Sequence, residues 1–384
     1  MTDVEVEVKA NTRSSVFCPV NCGVDIAADE LREMALVDEQ RGAPIPFQVE
    51  QTDADSSRVH WIVARSAAGQ RRRFTLTERQ APAAGPLVDL TEEDDRIQVK
   101  VGGEFFTCYH FGDTVPRPFL YPMIGPYGAG VTRPYPIETV EGDHTDHPHH
   151  RSVWVAWGDV NGSDNWSEGE NSGTVEQREM LSYGGGAVYG WVETANDWVS
   201  AEGAKLMEDR TLYRFYNLPG GIRFVELDVE FTASEGDVRF GDTKEGGICS
   251  VRVAAPMEVD RGGCIQNSFG GVNEPETWGK RAQWCDYNGV MEGHRVGVAI
   301  LDHPKNYRHP TYWHVRNYGL MTANPFGLSY FRAPEEVDGS YELPAGETVR
   351  FRYGIYVHAG DAEEGAVGRR YLDWIHPPQV TVME

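Results

Sequence analysis

The chain has 384 residues, 40% of them hydrophobic and 11% aromatic, with 42 Gly, 22 Pro and a formal net charge of -24. That length can bury a sizeable core, and the abundant Gly and Pro predict frequent turns between many short strands. So acidic a surface argues against nucleic acid, whose backbone demands Lys and Arg, and against anionic membranes; it reads as solubility.

The opening Met1-Thr2-Asp3-Val4-Glu5-Val6-Glu7 is acidic and alternating, without the basic start or apolar stretch of a secretory signal. Nowhere do about 18 consecutive apolar residues occur to span a membrane. The six cysteines (Cys18, Cys22, Cys108, Cys249, Cys264, Cys285) are scattered, which suits reduced thiols and predicts a cytoplasmic protein. Cys18 and Cys22 lack a second ligand pair nearby and read as structural thiols, not zinc ligands.

Residues 1–80 carry short alternating runs at Val4–Val8, Pro46–Val49, Val59–Val63 and Arg73–Leu76. These predict a small N-terminal β-sandwich-like domain over residues 1–85. Ala27–Leu36 reads as a helix, or Ala35-Leu36-Val37 as a strand. Gln80-Ala81-Pro82-Ala83-Ala84-Gly85-Pro86 reads as a linker. From there a large domain over residues 86–384 alternates strand and turn. Arg96–Val101, Gly102-Gly103 and Phe105–Phe111 form a hairpin signal. Ile222–Phe231, Ile248–Ala254, Val296–Leu301 and Val349–Val357 also read as strands. Ala362–Trp374 is the main helix candidate, with Asp361 as N-cap and Glu364 in capping-box position. The fold expected is all-β, a large antiparallel β-sandwich with little helix.

The chemistry concentrates in Asp143-His144-Thr145-Asp146-His147-Pro148-His149-His150-Arg151, which holds four of the twelve histidines. Histidine titrates near neutrality and an adjacent Asp can fix its tautomer, so the run suits acid–base catalysis or metal ligation. Read as extended chain, with Pro148 favouring that conformation at His147, it puts His147, His149 and Arg151 on one face and His150 on the other. Farther on, Tyr312, His314 and Arg316 would share a strand face, with Trp313 beside them. Aromatic rings next to charged donors suit a sugar. Lys244 and Glu245 are a possible acid/base or binding pair ahead of the strand carrying Arg252, and Arg281 adds a further cation. There is no G-x-S-x-G elbow, P-loop or H-E-x-x-H motif.

Several stretches carry a family resemblance: Arg117-Pro118-Phe119-Leu120-Tyr121-Pro122, Gly142-Asp143 through Arg151 with Trp154, Thr243-Lys244-Glu245-Gly246, His309-Pro310-Thr311-Tyr312-Trp313-His314 and Asn324-Pro325-Phe326-Gly327. On these the chain resembles a bacterial family labelled "methane oxygenase PmoA". Members of that family resemble carbohydrate-utilisation proteins, and their architecture resembles the galactose-mutarotase-like supersandwich. The resemblance implies a carbohydrate-active enzyme acting on a glycoside or keto sugar, lyase- or hydrolase-like. It also leaves open an epimerase or mutarotase, a non-catalytic carbohydrate-binding protein, or a metal-dependent oxygenase.

The candidate catalytic residues are therefore His147, His149, Glu245 and His314. Asp143, Arg151, Lys244, Arg252, Arg281, Tyr312, Trp313 and Arg316 are candidates for binding substrate. A divalent metal, if used, would engage His147 and His149. The expected partner is a small-molecule carbohydrate.

Overall fold

A computed structural model describes residues 3–78, 85 and 87–383. Of the expected linker Gln80–Pro86, only Gly85 is among them. The chain forms the all-β sandwich expected from its alternating pattern. One eight-stranded antiparallel sheet runs in the order Tyr312–Val315, Leu320–Asn324, Gly246–Arg252, Val153–Trp157, Phe119–Tyr121, Glu104–His110, Arg96–Val101 and Val88–Glu93. A second eight-stranded sheet runs Thr174–Gly184, Tyr189–Val199, Lys205–Tyr216, Arg223–Thr232, Thr348–Ala359, His294–Asp302, Trp284–Met291 and Cys264–Asn267. Their facing residues make the main core, with Tyr109, Trp157, Leu227, Trp313 and Phe351 among its large side chains.

Alternation explains which residues face inward. In Val153–Trp157, Val153 and Trp157 enter the main core, while Trp154 and Ala156 join a separate apolar cluster with Phe119, Tyr121 and Trp166. That cluster marks the opposite face of the first sheet. Across this face a single row of paired residues runs His110, Phe119, Trp154, Ser250, Thr322 and His314. We call this first sheet the site sheet and the second the opposing sheet.

The N-terminal residues build a smaller unit of two sheets around Val8, Trp61, Phe74 and Leu76. Both readings of Ala27–Leu36 hold in part: a helix spans Ala28–Arg32 and a strand Met34–Asp38. The last strand of the chain, Gln379–Val382, returns to pair with Val4–Lys9. The expected C-terminal helix begins later than its sequence pattern suggests, at Val367. Asp361 and Glu364 do exchange capping bonds, Asp361 Oδ1 accepting from the Glu364 amide at 3.0 Å and Glu364 Oε2 from the Asp361 amide at 3.2 Å. Ala366, however, takes a left-handed φ of 52°, which separates this turn from the helix. All six cysteines are free, and burial pushes the Cys18 thiol up to about 12 and Cys22 up to about 11. Among the described residues no helix is long and apolar enough to cross a membrane.

Candidate functional site

The histidine-rich run is not extended. His147 has a φ of 46°, Ser152 a φ of 57°, and the His150 amide donates to the His147 carbonyl at 3.0 Å, closing a turn over Pro148 and His149. Two buried arginines impose this shape. Arg133 donates to the carbonyls of Asp146 (2.9 Å) and His147 (2.8 Å) and to Asp146 Oδ1 (2.8 Å). Arg117 donates to the His149 carbonyl at 3.2 Å and to Glu168 at 3.1 Å. Both guanidiniums are fully buried, and burial lowers each pKa to about 10.

The turn reverses the expected faces. His147 stacks on His150, with ring centroids 4.7 Å apart, and on Tyr318 at 5.2 Å. His149 stands edge-on to Trp166 at 5.9 Å. Arg151 leaves the group and makes a bidentate pair with Glu168, both bonds 2.8 Å. Asp143 does not orient a histidine; among the described residues its buried Oδ2 has no partner.

At the centre is a dyad. Asp146 Oδ2 lies 2.5 Å from His147 Nδ1, and both side chains are 40% exposed. Burial works against the Asp146 charge, but Arg252, His147 and Arg133 outweigh it and hold its pKa below the usual carboxylate range. A carboxylate on Nδ1 keeps the proton there and leaves Nε2 as the basic nitrogen. Arg252, fully buried, reaches Asp146 Oδ1 at 3.2 Å and lies over the Tyr318 ring at 4.7 Å. Its Nη1 is 3.1 Å from His150 Nδ1, which must accept, so His150 is neutral with its proton on Nε2. Burial, His149 and Arg252 drive the His150 pKa well below its ordinary value. Burial and Arg117 take His149 down to about 4. His149 is therefore a poor base.

His314 lies on the same face, close enough for the charges of Arg316, Lys244 and His147 to act on it. It is 1% exposed, and burial lowers its pKa to about 3. The Lys244 backbone lies beside the ring, yet among the described residues neither ring nitrogen completes a hydrogen bond. It is thus a neutral ring at pH 7 with no imidazolium proton to give, which removes it as a catalytic acid. Lys244 and Glu245 pair with each other and remain partly exposed, at 30% and 44% of their side chains. Burial and the nearby Arg316 lower the Lys244 pKa. Arg316 pairs with Glu274 at 2.6 Å and covers the Trp278 ring.

Three further expectations change. Trp313 is in the main core, 0% exposed, with Nε1 donating to the Ala282 carbonyl at 2.9 Å, so it cannot stack on a ligand. Tyr312 is engaged by Phe331 and by Arg281. Arg281 itself holds the Arg308, His309 and Pro310 carbonyls and acts as a loop brace. Among the described residues no three His, Cys, Asp or Glu side chains converge as a metal-ligand set. His147 and His149 stand at 73° to each other, and the Nδ1 of His147 is already taken by Asp146.

Residue types alone did not reveal Arg117, Arg133, Tyr318 or Glu258. Glu258 is 2% exposed in side chain, 3.3 Å from His144 and 3.7 Å from Arg252, and burial raises its pKa. Arg117 opens one of the stretches that carry the family resemblance, and the local signal the two arginines share is that each precedes a proline, in Arg117-Pro118 and Arg133-Pro134.

A family model described as "Family of unknown function (DUF6807)" matches residues 96–371, a span that includes the whole histidine-rich run. No curated protein matches the chain. Among solved structures, an alpha-mannosidase from Enterococcus faecalis V583 is similar at a TM-score of 0.50 and 10% identity. The likeness covers 100% of this chain but 46% of the mannosidase, so the chain spans about half the length of that protein. It is a likeness of fold. The label "methane oxygenase PmoA" gains no support from these matches.

Proposed function

The chain belongs to the DUF6807 family of unknown function, and from that premise we propose that it is a carbohydrate-active enzyme using acid–base chemistry on a glycoside or keto sugar. One observation carries the reading: the half-exposed Asp146–His147 dyad, stacked on Tyr318 and backed by Arg252 and Arg133. The mannosidase likeness is consistent with it as a fold on which sugar chemistry occurs, though fold alone does not assign function.

In this reading His147 Nε2 takes a proton, either from a carbon beside a carbonyl or from an attacking water. Asp146 holds the ring in the reactive tautomer and stabilises the imidazolium that forms. Lys244, partly exposed and with a lowered pKa, donates to the developing oxyanion. Glu245, ion-paired with Lys244, relays a proton from the ammonium to the leaving oxygen. Arg252 is buried and acts through Asp146, as a positioning residue. His149 and His314 stay neutral at pH 7 and help shape the floor.

The test starts with a thermal-shift screen against glycosides and their keto derivatives, followed by turnover on the hits. Loss of a general base typically costs about 100- to 10,000-fold in rate. His147→Ala should fall in that range with an unchanged far-ultraviolet circular dichroism spectrum. Near-normal turnover in His147→Ala would remove the dyad from the mechanism. Binding without turnover in the unmodified chain would make the protein a carbohydrate binder instead.

A further inference from the structure

Away from the histidine-rich run, two cavities of about 550 and 300 Å³ open where the N-terminal unit leans over the outer face of the opposing sheet. They share Glu50, Tyr189 and Arg214 and so form one groove. One wall is the strand Phe47–Asp53, at the edge of a three-stranded sheet. The floor is a set of cross-strand rows: Trp191 opposite Arg214 opposite Glu226, and Arg210 opposite Glu230 opposite Arg350.

The floor is preorganised. Gly184 lies directly against the Trp191 ring, where a Cβ would stand 2.5 Å from it. Trp191 Nε1 donates to Ser182 Oγ at 3.1 Å, Ser182 Oγ donates to Glu193 Oε2 at 3.1 Å, and Arg210 pairs with Glu193 Oε1 at 2.6 Å. The half-buried indole is thereby locked in place while still lining the cavity. An aromatic ring fixed beside a hydrogen-bonding array is what a sugar ring requires.

The three arginines of the larger cavity are already matched. Four carboxylates and three arginines line the larger cavity. Glu193 pairs with Arg210, Glu226 with Arg214 at 3.0 Å, and Asp228 with Arg350. An anionic ligand would have to break such a pair or leave its own charge unmatched, both costly. A hydroxyl-rich neutral ligand would add bonds to the spare N–H groups and lone pairs that these pairs leave over. We propose that the groove binds an uncharged oligosaccharide of about two or three rings, a size that fits a pocket of this order. The site is non-catalytic and separate from the dyad.

Affinity electrophoresis of the full chain in native gels containing mannan, mixed-linkage β-glucan or polygalacturonate tests this, with calorimetry on mannotriose, xylotriose and cellotriose. At least one neutral polymer should retard the protein. Trp191→Ala should weaken that binding by about tenfold or more. Gln51→Trp, on an exposed residue of the wall, should do the same by filling the groove. His147→Ala should bind as the unmodified chain does, which separates this site from the proposed catalytic one. The proposal is overturned if no neutral glycan binds, if both groove variants bind undiminished, or if polygalacturonate is preferred in a salt-sensitive way.

Discussion

Asp146 is asked to do two things: accept from His147 Nδ1 and neutralise Arg133 and Arg252. Replacing it by Asn keeps the shape and removes the charge. An amide can present its NH₂ to the ring and favour the wrong tautomer, so Asp146→Asn should lower turnover by about 100-fold or more. It should also lower the unfolding midpoint, because two buried guanidiniums lose a counter-charge. The ¹⁵N shifts of the His147 ring separate the effects, since a purely structural role would leave the Nδ1–H tautomer intact. That Asp146 and His147 lie together was legible in the sequence, because both belong to one short polar run. The fates of His314 and Trp313 were not. Strand alternation correctly puts them on opposite faces, but it does not say that one face is the main core and that the other is covered at His314. Tyr318 and Glu258 were equally hidden, since only tertiary packing brings them to the run.

The turn carrying the dyad has little structure of its own; buried guanidiniums hold its carbonyls. Arg133 serves Asp146 and His147, while Arg117 serves His149. Removing such a donor leaves buried carbonyls unpaired, so Arg133→Met should destabilise the chain by about 3 kcal/mol. Arg133→Lys should recover only part of this, because an ammonium cannot reproduce the fork. Urea unfolding of the three proteins measures both. If Arg133→Met unfolds like the unmodified chain, the arginine does not brace the turn. The same contacts explain why the run failed to follow its sequence pattern. Pro148 favours extended backbone locally, but the carbonyl–guanidinium bonds come from residues far back in the chain and override it. Elsewhere local pattern sufficed. Arg96–Val101, Gly102-Gly103 and Glu104–His110 form the hairpin read from alternation and the paired glycines. The start of the last helix was misread because a capping pair can close a turn without starting a helix.

Several histidines are buried without charge, and this sets how the whole molecule responds to acid. His149 and His303 are held at about 4 and His314 at about 3, in each case chiefly by burial, and His150 is held well below its ordinary value by the same cause. Their folded pKa values lie below the unfolded value of about 6.5. The unfolded chain therefore takes up protons first as the pH falls. The stability these residues contribute is complete above about pH 6.5 and is lost as the pH drops towards their folded values. His358 has the opposite sign. Burial opposes its charge, but Asp286, 2.8 Å away, outweighs it and raises the pKa. Its contribution is full below about pH 6.5 and fades only above, so it does not oppose the acid effect. Carboxylates with lowered values, such as Glu226 and Asp146, contribute stability that is lost only below about pH 4. Asp209 and Glu258, whose pKa values burial raises, oppose the acid effect by taking up protons in the folded state as the pH falls, but the four histidines outnumber them between pH 6.5 and 5. His150 and His314, each 1% exposed, should each cost up to about 1.4 kcal/mol per pH unit there. Urea unfolding midpoints at pH 7.5, 6.5, 5.5 and 5.0 should stay level to about 6.5 and then fall. In His314→Leu the fall should be shallower by about one proton's worth. A midpoint that does not change from pH 7.5 to 5.0 would mean that these rings are solvated or charged in the folded protein, and the neutral floor assigned to the site would be wrong with them.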